Sequence, residues 1–452
     1  MYKYTWDEET GGLLLLPELS KFSKEPRPVY YKELDILGFD KYWNYPKDDH
    51  APLLWAEANN YIYKGRTIAK VTGGALYTPP GLVVLDKDPE PGGKPLEFVD
   101  VPHMCEKNRA IMEALVQETV QQVYQTYESY KSRIDVFYVA FSGGKDSVVA
   151  LDMVQRALPH EAFKVVFGDT GMEFPDTYET VRHVKAWCTD SHIDFLEARS
   201  WLNPLDSWRM FGPPASVTRW CCSVHKTAPQ IILLRKLLKK RDFKGMAFVG
   251  VRGDESLARS KYEYITLGGK HKGQYSCNTI LHWSSAEVFL HILKEHLVLN
   301  PAYKLGNRRA GCLICPRASE RSEFMNHHCY PEQAEPFVNI IREVYKNAFT
   351  SKDAMEEFIR NGGWKARKNG RDLTLKVGYS ESVTKEGDTL IEVAHPRTDW
   401  KVWINTIGVL SNNQSPFIIQ HHGRLLAFEV EEADQRILVK VKKALPKKVA
   451  TL

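Results

Sequence analysis

The sequence has no apolar run long enough to cross a bilayer. Runs such as Leu13 to Leu16 and Val136 to Phe141 fall far short of the roughly 18 residues that a membrane-spanning helix needs. The N-terminus has no basic segment followed by an apolar one, so we expect no secretion signal and a cytoplasmic location. Charge of one sign is also missing, because 61 Lys and Arg residues offset 56 Asp and Glu residues to leave a net charge of +5. This small positive charge is compatible with an anionic ligand without requiring one.

Cysteines are too few for a fold built on disulfides, since only eight occur in 452 residues and none follows Cys329. In a chain without an export signal, clustered cysteines indicate metal or redox chemistry. Two common nucleotide-binding motifs are absent as well, the Walker-type phosphate loop and the G-x-G-x-x-G fingerprint. Any nucleotide site must therefore use another loop.

Between about residues 130 and 300, strand and helix patterns alternate. The uninterrupted apolar run at 136–141 is typical of a strand buried on both faces. Such alternation predicts an α/β fold, a parallel sheet with helices on both faces. The predicted strands are 136–141, 163–167, 193–196 and 246–251, and the predicted helices are 107–132, 147–158, 177–188, 229–240 and 286–296.

The flanking regions have a different composition. Residues 1–100 are rich in Pro, Gly, Tyr and Trp, and a hairpin is predicted at 61–69 around a Lys64-Gly65 turn. We expect a small accessory module containing β-strands, then a Pro- and Gly-rich linker at 86–95. The catalytic domain would span 101–330. A helical segment with a basic loop (331–375, helix at 335–359), a small β-rich domain (376–452) and a basic tail at 440–448 would follow.

The strongest motif lies directly between a predicted buried strand and a helix. It consists of Ser142, Gly143, Gly144, Lys145, Asp146 and Ser147. Glycines let the backbone approach an anion closely, and the N-terminus of the helix favours negative charge. Asp146 would repel a phosphate unless a cation lay between them, so the motif predicts Mg²⁺. We expect a surface turn whose side chains can be changed without loss of the fold.

These residues resemble the PP-loop of the ATP pyrophosphatase superfamily, in particular its phosphoadenosine phosphosulfate (PAPS) reductase-like branch. Further matching pieces follow in order: Gly168 to Gly171 with Phe174 to Thr177, Arg219 to Cys222 with Lys226, Gly250 to Ser256 with Arg259, and Gly311 to Pro316. The resemblance implies an adenine nucleotide α-hydrolase-like fold. It also implies ATP, or an adenylyl nucleotide, cleaved between its α- and β-phosphates.

Two further groups of residues are candidate parts of this site. Asp169, with Thr170 and Gly171, follows the second predicted strand, at the sheet edge where ligands bind. A carboxylate there could accept from a ribose hydroxyl or, alternatively, cap the next helix. Arg252 and Arg259 flank Glu255, and arginine forks suit phosphate or sulfate oxygens. The alternative for them is an internal Arg–Glu ion pair.

Four cysteines form a candidate metal centre: Cys221, Cys222, Cys312 and Cys315. A Cys₄ set of this kind holds [4Fe–4S] clusters, and the resemblance implies the same, since CC…CxxC is the pattern of cluster-bearing reductases in this branch. One alternative is zinc, because His327 and His328 follow the C-x-x-C pair. The other is four plain buried thiols.

The chain departs from sulfonucleotide reductases at one point. Those enzymes carry a nucleophilic cysteine in a C-terminal tail, and no cysteine follows Cys329 here. This favours relatives that keep the nucleotide site and move sulfur elsewhere, such as the C proteins of the DNA phosphorothioation (Dnd) system. We therefore expect an ATP pyrophosphatase that supports sulfur transfer onto a nucleic acid, with a cysteine desulfurase or another protein as the sulfur donor. The alternatives are a thioredoxin-dependent PAPS or adenylyl sulfate reductase, and a nucleotide-binding subunit without catalysis.

A basic loop at 360–371 suggests how a nucleic acid would be held. Its basic residues are Arg360, Lys365, Arg367, Lys368 and Arg371, and they surround Trp364. Such a set can bind a phosphate backbone and stack an unpaired base. The alternative is a solvated helix end. A second basic run, 235–241, is more simply the solvated face of a helix.

Overall fold

The structure is a computed structural model that describes residues 1–21, 23–268, 273–366, 379–396, 400–401, 404, 409–412, 414–421, 424–433 and 435–442. In this part of the chain, no helix combines the length and the apolar character needed to span a bilayer.

The N-terminal region consists mainly of antiparallel strands. Its elements are β1 (Tyr2–Trp6), β2 (Leu13–Leu19), β3 (Arg27–Val29), α1 (Tyr31–Leu37), β4 (Leu54–Glu57), β5 (Asn60–Tyr63), β6 (Arg66–Thr72) and β7 (Gly81–Val84). Strands β1 and β2 pair with each other, and β3 to β7 form a second sheet in chain order. The predicted hairpin is confirmed: β5 and β6 meet at Lys64 and Gly65, both with positive φ. The predicted linker at 86–95 packs back on this hairpin, where Glu90 accepts from Lys64 at 2.7 Å.

The central region alternates strand and helix as predicted. Its elements are α2 (Val101–Lys107), α3 (Arg109–Tyr130), β8 (Val136–Phe141), α4 (Lys145–Ala157), β9 (Lys164–Asp169), α5 (Pro175–Asp190), β10 (Asp194–Arg199), α6 (Pro204–Phe211), α7 (Trp220–Cys222), α8 (Ala228–Leu238), β11 (Gly245–Val249), β12 (Ile265–Leu267), β13 (Gln274–Asn278), α9 (Ser285–Lys294) and α10 (Glu320–Cys329). The sheet order is β10-β9-β8-β11-β13-β12. All neighbours are parallel except the edge strand β12, which is antiparallel to β13.

Helices cover both faces of this sheet, and the alternation of side chains along β8 explains why. Phe137 and Val139 pack toward α3, α4 and α5, whereas Val136 and Tyr138 pack toward α8. A strand buried on both faces needs the continuous apolar sequence that β8 has. The predicted α/β fold class is therefore confirmed.

The N-terminal strands share a hydrophobic core with the central region. Leu13 and Leu15 of β2 and Trp55 of β4 lie in one buried cluster with Met112 of α3 and Trp283. Folding of the accessory module thus completes the core beneath α3 and α9. The domain boundary expected near residue 100 therefore does not separate two hydrophobic cores, because residues on both sides of it lie in the same buried cluster.

The C-terminal part contains two helices and an antiparallel sheet. Its elements are α11 (Pro331–Tyr345), α12 (Lys352–Arg360), β14 (Tyr379–Val383), β15 (Thr389–Ala394), β16 (Val409–Asn412), β17 (Phe417–His421), β18 (Arg424–Ala433) and β19 (Arg436–Val441). The single helix predicted at 335–359 is two helices, because the chain turns at 346–351. The strand-rich C-terminal part is confirmed, with the order β14-β15-β19-β18-β17-β16. The predicted basic tail begins inside β19, and its residues beyond 442 lie outside the described part.

Candidate active site

The phosphate loop connects the carboxyl end of β8 to the first turn of α4. Gly143 has φ +73°, and a Cβ there would lie 2.8 Å from the Thr177 side chain, so only glycine fits. The loop is held from inside: Ser147 Oγ accepts from Ser142 N–H at 3.2 Å and donates to the Gly144 carbonyl at 2.8 Å. Asn300 Nδ2 donates to the Gly143 carbonyl at 3.0 Å. The loop conformation is thus fixed before any ligand binds.

Three charged side chains of this region form a buried chain of contacts. Lys145 Nζ lies 2.7 Å from Asp146 Oδ2, and Arg252 Nε lies 2.7 Å from Asp146 Oδ1. Lys145 is 3% exposed and Arg252 is 2% exposed. The expectation of a surface turn is therefore wrong: the loop is buried, because the first turn of α4 packs against Gly250 and donates a backbone hydrogen bond to the Tyr303 hydroxyl at 3.1 Å.

Asp146 already has the cations that its charge requires. Burial alone would raise its pKa, but Lys145 and Arg252 lower the pKa of Asp146 to about 2. The sequence-based reason for Mg²⁺, an uncompensated carboxylate beside a phosphate, therefore does not apply to Asp146. A metal carried by the nucleotide itself remains a prediction.

The neighbourhood of Arg252 includes two carboxylates that are not among the predicted site residues, although Asp254 lies within the matching segment Gly250 to Ser256. Arg252 Nη1 lies 2.6 Å from Asp254, and Arg252 Nη2 lies 3.3 Å from Glu25. Glu25 belongs to the N-terminal region and has a positive φ of 50°, which is uncommon for a residue other than glycine. No local motif marks Glu25, so only the folded structure reveals that the accessory module reaches this site.

Glu255 and Arg259 form the internal ion pair that the sequence left open as an alternative. Glu255 also accepts from Arg309 at 2.6 Å. Two arginines thus share one carboxylate at the entrance of the loop, and Arg309 is 61% exposed. The Arg252 backbone N–H lies 3.4 Å from the Glu255 carboxylate.

Asp169 lies at the carboxyl end of β9, next to β8. Its Oδ1 accepts from the Gly171 N–H and from the Tyr178 hydroxyl, each at 2.8 Å, and Arg199 Nε lies 3.5 Å from its Oδ2. The alternative role as a helix cap is excluded, because α5 begins at Pro175. Asp169 instead fixes the turn of Thr170 and Gly171 beside the phosphate loop.

The cysteines lie against this same turn. Leu313 N–H donates to the Met172 carbonyl at 2.7 Å, Cys312 forms an isolated β-bridge with Glu173, and Thr170 Oγ1 lies 3.7 Å from Cys312 Sγ. The C-x-x-C loop is therefore docked on the chain that leaves β9. This places candidate nucleotide residues and candidate metal ligands side by side.

The structure brings the four cysteines into one neighbourhood, where they affect one another electrostatically. A hydrogen bond with Cys222, burial and the charges of Cys312 and Cys315 raise the pKa of Cys221 well above its usual value. Burial and nearby charges, including that of Cys315, likewise raise the pKa of Cys312. Bound metal would reverse these shifts, since metal ligation deprotonates thiols.

The donor type fits an iron–sulfur cluster, but the side chains are not closed around a metal. Within the described residues, no three His, Cys, Asp or Glu side chains are arranged to hold a metal ion. The zinc alternative gains no support, because His327 Nε2 contacts Glu335 at 2.9 Å and His328 stacks on Phe324.

The basic loop differs from its prediction. Trp364 is 3% exposed and packs 6.0 Å from the ring of Trp208, so it offers no face to a base. Lys365 pairs with Glu323 at 2.8 Å. The predicted nucleic-acid contacts of Trp364 are therefore wrong, while Arg367, Lys368 and Arg371 lie outside the described residues.

Comparisons with known proteins found similar proteins for part of this chain. Residues 136–318 match the family model of the phosphoadenosine phosphosulfate reductase domain. An uncharacterized protein of Methanocaldococcus jannaschii is 31% identical over 266 residues, which are 58% of this chain and 52% of that protein. The adenosine 5'-phosphosulfate reductase of Geobacillus kaustophilus is 28% identical over 195 residues, 41% of this chain and 75% of the enzyme.

Among solved structures, the PAPS reductase of Candida auris in complex with phosphate aligns with a TM-score of 0.33 and 20% identity. The alignment covers 49% of this chain and 98% of that chain. The chain spans about half the length of the M. jannaschii relative.

Proposed function

We propose that this protein, whose residues 136–318 belong to the phosphoadenosine phosphosulfate reductase domain family, is an adenine-nucleotide enzyme of sulfur metabolism. It binds ATP at the phosphate loop, cleaves it between the α- and β-phosphates and supports sulfur transfer, with a nucleic acid as the acceptor.

One observation carries the proposal: the buried chain from Lys145 through Asp146 to Arg252, at the carboxyl end of the central strand. Asp146 holds two cations at a fixed place beside Gly143 and Gly144. Fixed positive charges of this kind stabilise the negative charge that develops on a phosphate during transfer. Glu25 lies on the same guanidinium, and an incoming phosphate would compete with it for Arg252.

The cysteines would hold a [4Fe–4S] cluster next to the nucleotide. Cys221, Cys222, Cys312 and Cys315 would supply its four thiolate ligands, which is the usual Cys₄ donor set. Such a group supplies electron or sulfur chemistry when bound. The chain's own contribution is to dock the C-x-x-C loop on Thr170 and Met172, beside the phosphate loop.

The test is product identification. The purified protein is incubated with ATP, with PAPS and with adenylyl sulfate, and the nucleotides are separated by anion exchange. AMP and pyrophosphate from ATP would support the proposal. Sulfite released from a sulfonucleotide, with ATP unchanged, would contradict it in favour of a reductase. Nucleotide binding without turnover would instead support a non-catalytic subunit.

The reductase is the second candidate, because the G. kaustophilus relative is an adenosine 5'-phosphosulfate reductase. It needs an attacking thiolate. Cys329 is the last cysteine in the sequence, and burial raises its pKa to about 11. A thiol that stays protonated near neutral pH is a poor nucleophile, so Cys329 suits this role badly.

A further inference from the structure

An open groove lies at the carboxyl end of the edge strand β10, beside the strand that carries Asp169. Its volume is about 240 Å³, and its walls are the chain from Glu197 to Leu202, Val224 and the face of α8 from Ala228 to Lys236. Trp201 stands at this groove and is 73% exposed. No sequence motif singled out this tryptophan.

We propose that this groove binds an unpaired base of a single-stranded nucleic acid, with Trp201 as the stacking surface. The inference rests on the proposed function, and it names the site at which the acceptor would dock. It also relocates the aromatic contact that the buried Trp364 cannot make.

The size of the groove favours a single ring. Ligand pockets that enclose a whole small molecule usually hold about 300–1,000 Å³, and this groove is smaller, at about 240 Å³. Its walls include the apolar side chains of Leu202, Val224 and Ile232. A flat base can lie against such a surface while its sugar and phosphates stay in water.

The charge around the groove favours a polyanion. Arg199 and Lys236 both line it. The Arg199 side chain is 65% exposed, while its Nε lies 3.5 Å from the buried Asp169 carboxylate. The lining carboxylate, Glu197, is already paired with Lys185 at 2.6 Å. Cations beside an exposed aromatic ring are the combination that single-strand binding proteins use to hold backbone and base together.

The position of the groove connects it to the proposed chemistry. Arg199 lies 3.5 Å from Asp169, and Val224 is the second residue after Cys222. A base in the groove would therefore lie between the nucleotide side of the site and the segment that carries two of the cysteines. An acceptor that docks in this groove would be close to both the proposed nucleotide site and the cysteines.

The test is fluorescence anisotropy with the full chain and fluorescein-labelled DNA and RNA single strands of about 20 nucleotides, long enough to cover a typical binding site. Trp201→Ala should weaken single-strand binding about five- to hundredfold, the range for loss of one stacked base. The single-strand affinity of Trp201→Phe, which keeps an aromatic ring, should lie between those of wild type and Trp201→Ala. In a plot of the logarithm of the binding constant against the logarithm of the salt concentration, Lys236→Ala should make the slope less steep by about 0.7. This is the value for the loss of one phosphate contact to a single strand.

The control is Trp187→Ala on α5, which removes a tryptophan that is 37% exposed and lies outside the groove. It should bind single strands as the wild type does. Equal binding by Trp201→Ala and wild type, an equal loss in Trp187→Ala, or no binding by the wild type would overturn the proposal.

ATP affinity is measured in parallel for the same proteins. If Trp201→Ala weakens ATP binding and leaves oligonucleotide binding intact, the groove holds adenine, and the inference is wrong. Anisotropy needs no turnover, so a failure of the ATP cleavage assignment would leave this result readable on its own.

Discussion

Asp146 is the side chain on which the candidate site depends most. Each of its carboxylate oxygens contacts a different buried cation, Lys145 on one side and Arg252 on the other. A buried charge that loses its partner is costly, so the three groups hold one another in place. Lys145 and Arg252 are therefore held at fixed positions, and a phosphate bound there would share them with Asp146 and, at Arg252, with Asp254 and Glu25.

Lys145→Met tests this arrangement with a side chain of similar length and no charge. We expect nucleotide turnover to fall by on the order of hundredfold, the usual cost of losing one group that stabilises developing negative charge. Because Lys145 is buried, the melting temperature should fall as well. The measurement is pyrophosphate release together with a thermal unfolding curve.

Lys131→Met is the control, since Lys131 lies at the exposed end of α3 and pairs only with Glu128 among the ion pairs of the described residues. It should change neither quantity. If Lys145→Met keeps turnover within a fewfold of wild type, Lys145 has no role in phosphate chemistry.

His225 gives the site region a measurable dependence on pH. Its Nε2 lies 2.8 Å from Ser207 Oγ, and the single hydroxyl proton of Ser207 goes to the Pro204 carbonyl. His225 therefore donates to Ser207 from Nε2 as a neutral ring. Burial lowers the pKa of His225 from 6.5 to about 4.

The sign follows from proton binding. Between pH 6.5 and about 4, the unfolded chain binds a proton at His225 and the folded chain does not, so stability falls as the pH falls. His225→Gln keeps a donor for Ser207 and removes the titration. Its stability should decline less steeply, by up to about 1.4 kcal/mol per pH unit.

The measurement is the urea midpoint at several pH values across this window. His183→Gln, at an exposed position on α5, should keep the wild-type slope. Identical slopes for His225→Gln and wild type would mean that His225 takes up its proton in the folded protein as easily as in the unfolded one.

At the level of helices and strands, the sequence predicted those central elements whose apolar pattern matches the way they are buried in the fold. Strand β8 has the predicted bounds 136–141, because six consecutive apolar residues suit a strand buried on both faces. Strand β13 was missed, since Gln274–Asn278 mixes polar and aromatic residues. Its place in the sheet comes from pairing with β11.

For the candidate site, the sequence likewise predicted the residues that local motifs mark and missed those that depend on the fold. The phosphate loop, Asp169 and the cysteines are marked by local motifs, and the structure places them side by side. Glu25 and Trp201 were not predictable, because what matters about them is a neighbour or an exposure that arises only on folding. Trp364 shows the converse: a basic, glycine-containing loop looked exposed, yet its ring is buried against Trp208.

The C-x-x-C loop leads to a prediction about metal content. Protein prepared without oxygen should contain about four iron and four inorganic sulfide per chain, as a [4Fe–4S] cluster does. Cys312→Ser should lose most of both, because it removes one ligand next to the nucleotide turn. Iron and sulfide are measured by colorimetric assay and the cluster by its visible absorption.

Cys105→Ser is the matched control, since Cys105 on α2 lies in the separate core that contains β2 and α9. It should keep wild-type iron and sulfide. Stoichiometric zinc without sulfide would contradict the cluster, and so would an equal loss of iron in both variants.

For the whole molecule, one buried carboxylate links the N-terminal sheet to the segment that follows the cysteines. Glu33 of α1 has no exposed side-chain surface, and both its oxygens contact Arg27, at 2.5 and 2.6 Å. Arg321 of α10 lies 3.0 Å from the same carboxylate. Burial lowers the pKa of Arg321 to about 10, with Glu33 opposing that shift.

Besides Glu33, Arg321 contacts Tyr61: its Nη2 donates to the Tyr61 hydroxyl, and its guanidinium lies 5.4 Å from the centre of the Tyr61 ring. Its Nε and Nη1 are buried and have no hydrogen-bond partner within the described residues. Glu33 thus balances two buried guanidinium groups, one 6 residues before it and the other 288 residues after it in sequence. Since the N-terminal strands also share a core with α3 and α9, we expect the accessory module and the central domain to unfold in one transition.

Glu33→Gln tests this link, because it keeps the shape of the side chain and removes its charge. Breaking a buried ion pair by removing one partner typically costs about 3–5 kcal/mol, so the free energy of unfolding in urea should fall by that order. Adding Arg321→Met should recover part of the loss, since an apolar side chain of similar length needs no counter-charge. Glu18→Gln, which breaks the exposed Lys3–Glu18 pair, should change the free energy of unfolding far less, because water screens exposed ion pairs. A loss in Glu33→Gln no larger than in Glu18→Gln would contradict the link, and two separate transitions in wild-type protein would show that the N-terminal module folds on its own.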